Sequence, residues 1–369
     1  MSTLLGMPRV RQSARPSGLP VSALDAHLPG DRPASAALID RFGRTATDLR
    51  VSLTDRCNLR CSYCMPAEGL PTRPVESIMT IDEIARLVGI AVQRLGVRQV
   101  RFTGGEPLLR ADLVDIVAAC AALSGRPEIS LTTNAIGLAG RAQALADAGL
   151  DRLNVSLDSL RPEIFAQITR RPFLPRVLDG IEAATAAGFT DIKINAVLLR
   201  GVNDGQAGEL LEWALGQGHE LRFIEQMPLD ADHSWARAEM VTAAEIRERL
   251  AEQFLLQADS APRDGAPAER YTVRSRAHPS LMGVVGIIAS VTESFCGDCR
   301  RTRLTAEGGV RNCLFANGET DLLGPLRAGC DDETIVRLWQ GEMWQKAGGH
   351  GVNEPGFVQP SRTMSAIGG

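Results

Sequence analysis

The sequence predicts an α/β protein: a partial barrel of six βα units, TIM-like in plan, followed by a smaller C-terminal α+β domain. Three observations predict it. Six short runs rich in β-branched and apolar residues alternate with helix-like stretches between Asp48 and about residue 226. Such alternation implies a parallel sheet, because parallel strands need crossovers. Polar and glycine residues gather where these runs end, and in barrels that rim is where active sites are built. After about residue 240 the rhythm changes.

The strands are expected at 48–54, 98–103, 128–133, 152–157, 191–198 and 221–226. Helices are expected near 81–95, 111–123, 140–149, 176–187 and 204–217. The first opens on Thr80 and Glu83, spaced as a capping box. The C-terminal part, 241–369, reads as a helix near 242–255, a Pro/Ala/Arg/Asp loop, strands at 270–275 and 284–291, and a helix near 332–346. Residues 46–240 form the barrel. Residues 1–45, rich in Ala, Pro, Ser and Arg, are expected to be a largely disordered extension. Asp25, Asp31 and Asp40 argue against a transit peptide.

The 369 residues are 44% hydrophobic and 23% charged, with a net charge of −4. This is a globular composition. It argues against nucleic-acid binding by a basic surface. No run approaches the ~18 apolar residues of a membrane span, and no secretory signal is visible, so a cytoplasmic location is expected. Of the 40 basic residues only Lys193 and Lys346 are lysines. Where arginine is the default, a lysine marks a place for a compact ammonium.

Six of the eight cysteines fall into two groups. Cys57, Cys61 and Cys64 form C-x3-C-x2-C on the loop after the first strand. Three thiolates with no nearby fourth ligand do not make a structural zinc site. They suit a [4Fe–4S] cube with one iron left open. Gly104-Gly105-Glu106-Pro107 follows the next strand, and paired glycines allow close approach to the backbone. Cys296, Cys299 and Cys313 form C-x2-C-x13-C. Here zinc completed by Cys330 and iron–sulfur are equal readings on spacing alone. Arg301 and Arg303 alternate on a strand just after Cys299, so both can face one anion.

CNLRCSYC resembles the cluster-binding signature of radical S-adenosylmethionine enzymes. With RFTGGEPLLR, LTTN, LNVSLDSL, RFIEQM, FCGDCRRTRLTAEGGVRNCLF and the ending TMSAIGG, residues 45–369 are similar to the GTP 3′,8-cyclase family of molybdenum cofactor biosynthesis. The resemblance implies S-adenosylmethionine held by Tyr63, Gly105, Ser156 and Met227. It implies a second [4Fe–4S] cluster on Cys296, Cys299 and Cys313, leaving Cys120 and Cys330 as bystanders. GTP would meet Arg50, Arg101, Thr132, Lys193, Arg301, Thr302 and Arg303, and Gly368-Gly369 would reach into the site near Arg50. The implied reaction is GTP to (8S)-3′,8-cyclo-7,8-dihydroguanosine 5′-triphosphate. The implied partners are an electron donor such as flavodoxin or ferredoxin and a downstream cyclic pyranopterin monophosphate synthase. The assembly would be a monomer or homodimer. Ala135 departs from the family, which often has Gly after TTN, and puts the neighbouring Thr132 in doubt. Two other readings stand: a radical enzyme that modifies a peptide, which leaves the arginines and the Gly-Gly end unexplained, and a zinc-binding regulatory protein, which explains only the C-terminal cysteines.

Overall fold

The computed structural model describes residues 30–71 and 73–368; expectations for residues 1–29 and Gly369 lie outside them. The chain runs β1 (Asp48–Ser52), α1 (Ile81–Gln93), β2 (Gln99–Thr103), α2 (Leu113–Ala121), β3 (Glu128–Thr133), α3 (Ala142–Asp147), β4 (Arg152–Ser156), α4 (Pro162–Thr169), α5 (Leu174–Ala186), β5 (Ile192–Val197), α6 (Ala207–Gly216) and β6 (Glu220–Ile224). All six expected strands are present. The capping box of α1 is closed: Glu83 N donates to Thr80 Oγ1, and Thr80 N to Glu83 Oε2. α4 is the one helix of this half that the sequence pattern did not announce.

The remainder runs α7 (Ala243–Gln253), β7 (Phe254–Ala258), β8 (Glu269–Ser275), β9 (Met282–Ile288), β10 (Arg301–Leu304), β11 (Gly309–Arg311), β12 (Thr320–Asp321), α8 (Leu323–Arg327), α9 (Asp332–Trp344) and α10 (Met364–Ile367). Its strands join the barrel sheet. The order is β12-β11-β10-β1-β2-β3-β4-β5-β6-β9-β8-β7. β9 pairs parallel with β6 and β10 parallel with β1, so six parallel strands become eight. β7–β8 and β11–β12 then turn antiparallel at the two ends. The expected helix near 242–255 stops early, because Phe254 turns into β7 beside β8.

This order has a direct consequence for the site. β9 lies at one end of the parallel run and β10 at the other. The connection between them, residues 289–300, must cross the barrel, and it carries Cys296 and Cys299. Glu225, fully buried just past β6, fastens this crossing. Its carboxylate accepts from Val291 N at 2.8 Å, Thr292 N at 2.9 Å and Ala243 N at 2.8 Å, and also from the Thr292 hydroxyl.

Residues 30–45 correct the expectation of disorder. Leu38 is fully buried, and Gln340 Nε2 donates to the carbonyls of Ser35 and Ala36. Arg44 donates to Asp40, to Cys296 O at 2.7 Å, to Gly348 O at 2.9 Å and to Ala347 O at 2.6 Å. Composition misled here: a Pro- and Ala-rich strap can be ordered by a few long-range bonds. Among the described residues no helix is long and apolar enough to cross a membrane.

Ala135 has φ 61°, in the left-handed region where glycine is at ease. The turn after LTTN therefore keeps a glycine-like shape with an alanine in it. A Cβ there costs roughly 1–2 kcal/mol, partly offset by alanine's smaller chain entropy. Ala135→Gly is expected to raise stability by up to about 1 kcal/mol, read as a small increase in thermal midpoint. A decrease would mean that the methyl's packing outweighs the backbone strain.

Candidate active site

The first cysteine loop leaves β1 and is held on three sides. Arg60 N and Ser62 N donate to the carbonyls of Thr169 and Ile168, at the end of α4. Arg170 Nη1 reaches the carbonyls of Arg60 and Met65, both at 3.2 Å. The third side is the Gly-Gly loop. Gly105 N donates to Thr54 O, and Glu106 N to Arg56 O, both at 2.7 Å. A Cβ on Gly104 would sit 2.3 Å from Thr54 O, and one on Gly105 2.3 Å from Arg56 O. Both glycines are there because two backbones touch.

Glu106 ties this loop to the end of β3. It accepts from Leu108 N at 2.9 Å, Thr133 Oγ1 at 2.7 Å and Asn134 N at 2.7 Å. Burial pushes its carboxyl up to about 7. Asn134 Nδ2 continues the chain of bonds to Asn58 Oδ1 at 2.6 Å and to Cys57 Sγ at 3.8 Å. The TTN segment thus reaches the first cysteine.

The three half-buried thiols lie near one another. Burial and Glu106 push Cys57 up to about 11. Burial and Cys57 push Cys64 up to about 12, and burial with Asp158 raises Cys61 well above the usual thiol range. Three mutually repelling soft donors fit a cationic iron–sulfur core, which would offset both penalties. Among the described residues no three His, Cys, Asp or Glu groups gather as around a single metal ion. The fit therefore rests on donor chemistry, and on a cube that spreads its thiolates over separate irons.

One buried cavity lies beneath this loop. Its wall includes Tyr63, Ser156 and Met227, then Arg50, Arg101, Thr132, Arg301 and Arg303 below. Cys296, Cys299 and Cys313 line one side. Met227 packs beside Leu229 and Met364. Tyr63 Oη donates to Asp158 Oδ2 at 2.7 Å, which fixes the ring, while Val197 N donates to Asp158 Oδ1 at 2.8 Å. Burial holds the Asp158 carboxyl up at about 6.

The lower cavity is a concentration of positive charge. β10, β1 and β2 place Arg303, Arg50 and Arg101 side by side in register, and Arg301 opposite Asp48. Burial lowers the guanidinium pKa values of Arg50, Arg101 and Arg303, the last to about 10. Burial opposes ionisation of Asp48 too, but Arg50, Arg101, Arg301 and Arg303 together outweigh it and hold its carboxyl low. Four guanidiniums thus share one carboxylate. Arg50 Nε, Arg301 Nε, Thr132 Oγ1 and Asn195 Oδ1 are buried without a hydrogen-bond partner, and all four residues line the cavity. Orphaned polar atoms and excess charge of this kind fit an anionic, polar ligand.

Beside Cys299, Arg301 Nη1 lies 3.9 Å from Sγ, and Lys346 Nζ 3.2 Å from it. Burial opposes ionisation there, but these two cations outweigh it and bring the thiol down to about 7. The chain's end ties the first cysteine loop to the arginine row. Ser365 hydrogen-bonds Cys64, and Gly368 O accepts from Arg303 Nη1 at 2.6 Å. The expected contact with Arg50 is thus made by its neighbour on β10. A Cβ on Gly368 would lie 2.8 Å from Thr103 Cγ2, and φ is +84°, so glycine suits this position.

Three residues expected at the site are not part of this cavity's wall. Thr302 points away from the cavity and its hydroxyl accepts from Trp339 Nε1 at 2.9 Å. Lys193 lines an adjoining polar cavity with Arg101 and Arg222, and donates to Asp191 Oδ2 at 2.6 Å. Gly105 meets backbone and is not part of the cavity wall. Sequence reasoning missed Arg222, which lines both cavities; Asp158 and Asn195 were among the polar residues expected at the strand ends, without a role of their own. The register was the missing signal: Asn195 and Arg222 are paired across β5 and β6.

Removing one guanidinium should expose the charge design. Arg303→Ala is expected to weaken binding of a nucleoside triphosphate at least tenfold, about 1.4 kcal/mol or more, and to release Gly368. Equilibrium binding at two salt concentrations checks this; unchanged affinity would show that the arginine row does not meet the ligand.

Residues 51–214 match the radical SAM superfamily, and residues 219–352 match Molybdenum Cofactor Synthesis C. GTP 3′,8-cyclase of Paenarthrobacter nicotinovorans is 57% identical over 93% of this chain and 100% of its own length. That of Mycobacterium marinum is 56% identical over 100% and 99%. Among solved structures, Streptococcus suis SuiB bound to S-adenosylmethionine aligns with a TM-score of 0.53 at 14% identity, over 79% of this chain and 68% of that one, a likeness of fold alone. Identity at this level along the full length of its relatives places the chain in the GTP 3′,8-cyclase family of the radical SAM superfamily.

Proposed function

We propose that this protein is a radical S-adenosylmethionine lyase that converts GTP to (8S)-3′,8-cyclo-7,8-dihydroguanosine 5′-triphosphate, the first step of molybdenum cofactor biosynthesis. 5′-Deoxyadenosine and methionine are the co-products. The observation that carries the reading is a cavity lined by Tyr63 of the first cysteine loop, by the second cysteine group and by four guanidiniums. A peptide would not need that floor; a triphosphate does.

A [4Fe–4S] cluster on Cys57, Cys61 and Cys64 supplies, when bound, the electron that cleaves S-adenosylmethionine to a 5′-deoxyadenosyl radical. The chain's own residues bind and orient. Tyr63, Ser156 and Met227 line the upper cavity where S-adenosylmethionine would lie. Met227 offers a polarizable wall, and Asp158 keeps Tyr63 in place. Arg50, Arg101, Arg301 and Arg303 hold the triphosphate, with Thr132 and Arg222 beside them. Such a grip on the phosphates would limit how far the rest of the nucleotide can drift in the cavity. A second [4Fe–4S] cluster on Cys296, Cys299 and Cys313 would sit beside the guanine base. Arg303 also holds the Gly368 carbonyl, which fixes the chain's end beside the arginine row. A flavodoxin- or ferredoxin-like donor, a downstream cyclic pyranopterin monophosphate synthase and a cytoplasmic setting complete the proposal.

The test is isotopic. With clusters reconstituted anaerobically, reductant, S-adenosylmethionine and GTP deuterated at C3′ are expected to give 5′-deoxyadenosine carrying deuterium, read by mass spectrometry. Unlabelled 5′-deoxyadenosine, formed at the same rate with and without GTP, would remove GTP as substrate.

A further inference from the structure

Lys346 is one of two lysines in the chain, and the proposed chemistry gives it no task. It follows α9 and is only 3% exposed. Its Nζ donates to Arg301 O at 2.9 Å, Cys299 Sγ at 3.2 Å and Cys299 O at 3.4 Å. An ammonium has three protons, and here there are three acceptors. No carboxylate pairs with it among the described residues. A buried cation left without a counter-charge is costly, so the Cys299 sulfur is its natural partner.

A guanidinium could not replace it. Arginine's donors lie in one plane on a rigid fork, while these acceptors surround a single point. In a chain that otherwise uses arginine almost throughout, this geometry accounts for a lysine here.

The two cysteine groups differ in what touches their sulfurs. Cys57 Sγ accepts from Leu59 N at 3.4 Å and Asn134 Nδ2 at 3.8 Å, both neutral. Cys299 Sγ has Lys346, with Arg301 Nη1 further off at 3.9 Å, both cationic. Hydrogen bonds to sulfur and nearby charge are what set an iron–sulfur cluster's potential.

We propose that Lys346 is a positioning residue that raises the reduction potential of the cluster on Cys296, Cys299 and Cys313, by fixing a positive charge and an N–H···S hydrogen bond on one thiolate. This rests on the second-cluster reading given above. Lys346 stands behind the cysteine, off the cavity wall, so it acts on the cluster without meeting GTP.

The full-length chain with Cys57, Cys61 and Cys64 changed to Ala isolates the second cluster. Iron content and a redox titration followed by electron paramagnetic resonance are then measured for this parent and with Lys346→Met or Lys346→Arg added. Lys346→Met is expected to move the midpoint to a more negative potential at comparable iron content. Lys346→Arg, which keeps the charge but not the three-point geometry, should move it less. A role confined to holding the loop would lower iron content and leave the midpoint of the loaded fraction where it was; that result overturns the inference. If Lys346→Met cannot be loaded, the Arg variant decides: an unchanged midpoint overturns the inference and a negative shift supports it. A parent that binds no iron overturns the second-cluster reading itself, and the inference with it.

Discussion

The pairing of β10 with β1 is the contact on which the site depends. Only because a late strand lies parallel to the first does the connection from β9 cross the barrel with Cys296 and Cys299 on it. The same pairing sets Arg303 beside Arg50, and β2 adds Arg101 to the row. Shift β10 by one residue and Thr302 would face the cavity, while both arginines turned toward Trp339. One register therefore fixes the second cysteine group, the anion floor and the grip on Gly368.

The floor has an energetic cost in the free protein. Four buried guanidiniums around Asp48 repel one another, and their burial lowers the pKa of Arg50, Arg101 and Arg303. Such strain is tolerable where the surrounding sheet is over-determined. A polyanion relieves it on binding, so part of the ligand's affinity is stored in the empty site. The upper cavity is built differently. There no cation stands among Tyr63, Ser156, Asp158 and Met227, and one Tyr–Asp bond sets the geometry. The two halves suit two ligands of opposite character.

The barrel was readable because each βα unit announces itself locally. Alternating apolar runs, a capping box and polar residues at strand ends are all short-range signals. The strands that complete the sheet were harder. Periodicity identifies β9 as a strand but does not name β6 as its partner, and the alternation of Arg301 and Arg303 marks β10 as a strand without naming β1 as its partner. α4 hid between arginines on either side, although Arg170 after it braces the cysteine loop. The cysteine triplets, Arg301 and Arg303 were legible from spacing. Arg222 was not, because ELRFI gives no hint of which face meets the cavity. A residue's place in a motif likewise does not say what its side chain already bonds, as Thr302 does with Trp339 and Lys193 with Asp191.

The long reach of these contacts has a kinetic side. Asp48 pairs with Arg301, and Arg44 with carbonyls 252 and 304 residues further on. During synthesis at roughly 5–20 residues per second, the open edge of β1 would wait on the order of 10–60 s for its partner strand. Over that interval the first cysteine loop sits beside an unpaired sheet edge, the kind of surface that invites wrong pairings. A fold that draws a late strand against its first assembles its site late: the arginine row and the second cysteine group come together only once β10 has been made.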